Sequence, residues 1–131
     1  MIQPTVLTLP ELHDKARDMQ IFLEEKYDSK EGSVLIERME VMQRLMAESG
    51  KCLADAKWYK EKIENDAIME SLKKSYEEKL STSTINKYVT TVARDYNYLV
   101  NVFDRINASA THQSDALRTL LSYLKAQMTM Q

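Results

Sequence analysis

From Lys51 to Gln131 the chain contains neither glycine nor proline, a run of 81 residues without a backbone punctuator. Both prolines, Pro4 and Pro10, fall in the first ten positions, and the two glycines are Gly32 and Gly50. Hairpin turns, bulges and other backbone positions at φ > 0 draw heavily on these residues, so a chain that lacks them has little with which to build a sheet. The pattern predicts an all-α fold of long helices joined by few loops.

With 131 residues the chain suits one helical domain, and a composition of 44% hydrophobic and 29% charged residues is that of an ordered chain. A net charge of −2 exerts no global pull toward nucleic acid or an anionic membrane. Cys52 is the sole cysteine, which excludes an intrachain disulfide and a cysteine-based metal cluster. The first ten residues lack the basic and apolar stretches of a signal peptide, and no window approaches the length of a bilayer span, so a cytoplasmic protein is expected.

Residues 1–7 read as an extended arm, with Pro4 holding its predecessor out of the helical region. Thr8 and Glu11 are spaced for a capping box, with Pro10 tolerated in a first turn, which predicts a helix over 8–27 along the stripe Leu12, Ala16, Met19, Leu23 and Tyr27. The segment from Asp28 to Ser33 breaks the pattern, with Asp28 and Ser33 both suited to cap a second helix. Leu35, Met39, Met42, Met46, Ser49, Leu53, Ala56 and Ile63 then keep one seam through Gly50, so a single helix over 33–80 is expected. A bend or break at Gly50 stays open. After Ile63 the stripe slips and is expected to resume at Met69, Leu72, Tyr76 and Leu80.

Four hydroxyl residues, Ser81 to Thr84, mark the next break. Beyond them the clearest pattern in the chain predicts a helix over 84–129. Ile85, Val89, Val92, Tyr96, Leu99, Phe103, Ile106, Ala110, Gln113, Leu117, Leu120, Leu124 and Gln127 alternate in steps of four and three. Two long helices of similar length with a short connector predict an elongated, coiled-coil-like antiparallel hairpin, with the short first helix packed on one end.

The last helix carries few charges: Lys87, Arg94, Arg105, Arg118 and Lys125 against Asp95, Asp104 and Asp115. Its other polar positions are mostly small and uncharged. A wide apolar stripe with such a face implies contact on more than one side. The expected partner is a second copy of the chain or another protein, through a seam of Val92, Tyr96, Leu99, Phe103, Ile106, Ala110, Gln113, Leu117, Leu120 and Leu124, giving a bundle on self-association. Gln113 would fix register between copies. A buried central helix in a monomeric bundle is the alternative.

Basic and aromatic residues interleave only at Lys57, Trp58, Lys60 and Lys62, the ingredients of sequence-tolerant single-strand binding. An amphipathic Trp58 covering the core edge beneath snorkelling lysines accounts for the same pattern. No catalytic set emerges: His13 and His112 lie in different segments, Cys52 has no neighbouring histidine, and two scattered glycines build no phosphate loop. No cofactor and no enzymatic activity are expected.

Two stretches, Leu53-Ala54-Asp55-Ala56-Lys57-Trp58-Tyr59-Lys60 and Ala116-Leu117-Arg118-Thr119-Leu120-Leu121-Ser122-Tyr123-Leu124-Lys125, resemble the small, all-helical, largely uncharacterised phage and prophage proteins found near recombination and single-strand-binding genes. The resemblance implies a cytosolic accessory protein that acts by contact. Three functions are therefore expected of such a chain: a helical interaction and oligomerisation protein, an accessory factor for single-stranded nucleic acid, or a phage-encoded inhibitor of a host protein.

Overall fold

A computed structural model describes residues 5–130 as four helices: α1 (Leu9–Glu24), α2 (Gly32–Glu78), α3 (Thr82–Val92) and α4 (Arg94–Thr129). No strand occurs among the described residues. The part of the expected N-terminal arm that includes Pro4 lies outside them.

The capping box forms at α1. The Glu11 amide donates to Thr8 Oγ1 at 3.3 Å, and the Glu11 carboxylate accepts from the Thr8 hydroxyl at 2.8 Å and the Thr8 amide at 3.2 Å. The Thr8 hydroxyl and amide together hold the Glu11 carboxyl below its ordinary pKa. Leu12, Ala16, Met19 and Leu23 are buried as one stripe. The helix stops at Glu24, ahead of Tyr27, whose ring instead lies against Arg38 at 4.4 Å.

The N-cap of α2 is Glu31, so neither Asp28 nor Ser33 fills that position. Asp28 closes the preceding turn, accepting from the Lys30 amide at 2.9 Å, and Ser33 donates its hydroxyl to Glu31 at 3.3 Å. From there α2 runs 47 residues, about 70 Å at 1.5 Å per residue, without interruption at Gly50. Leu35, Met42, Leu45, Ser49, Cys52 and Ala56 are buried along its inner face.

Past Ile63 the structure departs from the expected stripe. Ala67 and Ser71 turn inward at 4% and 3% exposure, while Met69, Leu72 and Tyr76 stand outward at 57%, 52% and 96%. A straight helix repeats its orientation every 3.6 residues, so the inner face that begins at Leu35 returns ten turns later at Ser71. Met69 follows Ile63 by six residues rather than three or four, and at 100° per residue that step carries the stripe of Met69, Leu72 and Tyr76 away from the inner face, which Ala67 keeps.

The expected helix over 84–129 is two helices. Ala93 sits between them at φ −90°, ψ 0°. Just before it, Thr90 and Thr91 donate their hydroxyls to the carbonyls of Asn86 and Lys87, each at 2.8 Å, a pairing that bends helices. At this junction Ala93 is inside at 3% exposure, while Val92, expected in the seam, stands at 36%.

As α2 advances from Gln43 through Ser49 and Tyr59 to Glu70, its partners recede from Ser114 through Asn107 and Tyr96 to Tyr88. Thus α3 and α4 run antiparallel to α2. Helix α1 lies antiparallel to α2 as well, through Lys15 with Glu48 and Arg38 with the Phe22 carbonyl. It packs on α2 and α4 and not on α3. One half of the molecule is therefore a three-helix body and the other a thinner arm of α2 and α3. The body holds nearly all the core, including Leu12, Leu35, Met42, Leu99, Phe103, Ile106 and Leu117, each adding about 1.5–3 kcal/mol.

Candidate interaction surfaces

Five of the residues expected to face a second copy are spent inside the chain. Leu99, Phe103, Ala110 and Leu117 are fully buried and Ile106 is 2% exposed, all in the core shared with α1 and α2. Leu120 and Leu124 are half-buried against that core, and Tyr96 stacks on Tyr59 at 5.3 Å. Gln113 does not set a register between copies: its amide donates to the Leu23 carbonyl at 3.0 Å and ties α1 to α4. The small polar face is also partly internal. Asn107 donates to Ser49 Oγ at 3.0 Å and to the Met46 carbonyl at 3.2 Å, while Gln43 donates to the buried Ser114 at 3.1 Å.

The Lys57–Lys62 stretch divides between two faces. Trp58 is 44% exposed, edge-on to Tyr59 at 5.1 Å, with the Lys62 ammonium 5.3 Å from its ring centroid. Lys57 is exposed beside it. Lys60 points elsewhere, pairing with Glu64 at 3.7 Å in a recess shared with Val89, Ala93 and Asn97. One aromatic face and two lysines remain together, a weaker platform than four contiguous residues imply.

Two other surfaces escaped the sequence reading. The first arises from the outward turn of Met69, Leu72 and Tyr76. With Trp58, Lys62 and Asn65 these residues form a line along the outer face of α2 in steps of four and three, flanked by Ile68 at 39% exposure. The sequence shows this stripe, but the slip after Ile63 puts it on the side opposite the seam.

The second is a groove of about 310 Å³ between α1 and α4, floored by Ala16, Leu99 and Val102 and edged by His13, Arg17, Gln20, Tyr98 and Arg105. Its two walls are some eighty residues apart in sequence, and no local signal joins them.

Chemically reactive groups are not assembled. No group of three His, Cys, Asp or Glu among the described residues is placed to hold a metal ion. Cys52 is fully buried, and burial first, then the nearby Glu48 and Asp55, pushes its thiol from an ordinary value near 9.0 up to about 11. No helix among the described residues is long and apolar enough to cross a membrane. Comparison of the chain with known protein families, with curated proteins and with solved structures gives no match.

Proposed function

We propose that this chain is a non-enzymatic helical interaction protein of the cytoplasm. It is an antiparallel, coiled-coil-like hairpin, braced at one end by α1, that uses its free arm to self-associate into a bundle. The observation that carries this reading is the outward line of Trp58, Met69, Leu72 and Tyr76, large apolar side chains left without a partner on a helix that already has a core on its other side. Apolar residues at such spacing are matched by another helix, and contiguous exposed apolar surface is a mark of interaction sites. Two arms packed through this face place α2 and α3 of each copy in a four-helix arrangement. The likeness of residues 53–60 and 116–125 to phage accessory proteins agrees with a protein that acts by contact, and inhibition of a host protein would draw on the same exposed arm.

Light scattering coupled to size exclusion tests this directly. The wild-type chain should elute at a multiple of 15.2 kDa, and Leu72→Lys with Tyr76→Glu should return it to 15.2 kDa with its helical signal intact. A wild-type protein that stays at monomer mass up to millimolar concentration overturns the self-association reading.

A further inference from the structure

The groove between α1 and α4 has a chemistry unlike the rest of the surface. On α4, Arg94, Tyr98, Asn101 and Arg105 succeed one another in steps of four, three and four, so they share one line on the helix, and all four are exposed. None of these positions is acidic; Asp95 and Asp104 are each about a quarter turn or more off that line. Across the groove from Tyr98 and Arg105, α1 contributes His13, Arg17 and Gln20, and Arg94 continues the α4 line beyond the groove.

The carboxylates on the α1 wall are engaged, whereas Asp95 and Asp104 on α4 make no ion pair among the described residues. Asp14 holds Arg17 at 3.0 Å and Asp18 approaches it at 4.0 Å, while Glu24 accepts from the Gln20 amide at 2.9 Å. Arg94 and Arg105 make no ion pair among the described residues. Tyr98 lies between them with 62% of its surface open. Two arginines without an ion pair therefore flank an exposed aromatic ring along one line of α4.

We infer that the α1–α4 groove binds single-stranded nucleic acid, with Arg94 and Arg105 on backbone phosphates, Tyr98 stacked on an unpaired base, and His13, Arg17 and Gln20 along the opposite wall. Cationic side chains track a phosphate backbone, and an aromatic ring accepts any base because every base has a π-face. Arg94 and Arg105 are eleven residues apart, about 16 Å along the helix, which suits an extended strand rather than one isolated phosphate. An acidic protein segment would satisfy the arginines but would leave the open face of Tyr98 unused.

The experiment is fluorescence anisotropy of a labelled oligothymidylate against the full chain at several salt concentrations. Binding should weaken steadily as salt rises. Arg94→Glu and Arg105→Glu should each weaken it about tenfold or more and reduce the salt slope by about one, whereas Tyr98→Ala should cost about tenfold with the slope unchanged. Lys30→Glu, on the loop before α2, should have no such effect, and circular dichroism should show every variant folded. Three results overturn the proposal: no binding at low salt, equal competition by polyglutamate, or loss of binding on Lys57→Glu with Lys62→Glu while the arginine variants bind normally. The second outcome would assign the groove to an acidic protein segment, and the third would place the strand on the Trp58 face.

Discussion

Arg38 and Gln113 reach the same helix end from different elements. The last carbonyls of α1 have no partners within their own helix, and no basic residue lies in its last turn. Arg38, on α2, donates to the Phe22 carbonyl at 2.8 Å with its guanidinium 4.3 Å from the Phe22 ring and 4.4 Å from that of Tyr27. Gln113, on α4, takes the Leu23 carbonyl. Arg38 is 5% exposed, so its charge is held by a carbonyl and two aromatic faces, with Glu25 only 3.9 Å away at the surface. Arg38→Ala should lower stability by about 3 kcal/mol in urea unfolding, from a charged hydrogen bond and two ring contacts. Arg38→Lys should recover only part of this, because a compact ammonium does not lie flat between two rings; full recovery would refute that account. Cys52 offers a second test. Its folded pKa, about 11, exceeds the unfolded value near 9.0, so the folded state keeps its proton where the unfolded state has lost it. Stability from this group is complete below pH 9 and should drain away between pH 9 and 11. Chemical unfolding at several pH values should show a shallower alkaline decline in Cys52→Ala than in the wild type.

At the scale of the element, local rules place starts better than faces. The capping box at Thr8 and Glu11 and the cap at Ser81, which accepts from the Thr84 amide at 3.1 Å, are encoded within four residues and form as those residues require. The end of α2 is less visible in sequence: Lys79 takes φ 51°, a left-handed conformation that usually falls to glycine or asparagine. The break at Ala93 is equally hidden, because no glycine or proline marks it. Gly50 looks like a bend or a break in sequence, yet α2 runs through it without interruption. It is exposed, and a Cβ there would meet nothing within 4 Å. With no packing reason to be glycine, Gly50→Ala should stabilise the protein by about 0.5–1 kcal/mol, read as a higher thermal midpoint. A loss of stability would mean that the helix needs freedom at this point.

For the whole molecule, the asymmetry between body and arm matters most. In the body, α1 closes the gap over α2 and α4. Asp55 anchors the segment before α1 by accepting from the Leu7 amide at 3.2 Å and from Lys51 at 2.7 Å. The arm has only Ala67, Ser71 and Ala93 buried between its helices, while Trp58, Leu72 and Tyr76 face outward. This is why the mass measurement uses Leu72 and Tyr76: replacing outward residues leaves the core alone, so a change of mass reports on association and not on unfolding. By itself the sequence determined that the chain is all helix, since eighty-one residues without glycine or proline leave no other economical course, and it determined where α1 begins, since its capping box is local. Which side of each helix is inside was decided only by the tertiary structure. An apolar stripe says that a face will be covered but not by what, and Leu99 to Leu117 are covered by α1 and α2 of their own chain. The stripe that slips after Ile63 leaves the inner face, which Ala67 and Ser71 keep, so Met69 and Tyr76 end outside. A groove between α1 and α4 exists only once helices distant in sequence lie side by side.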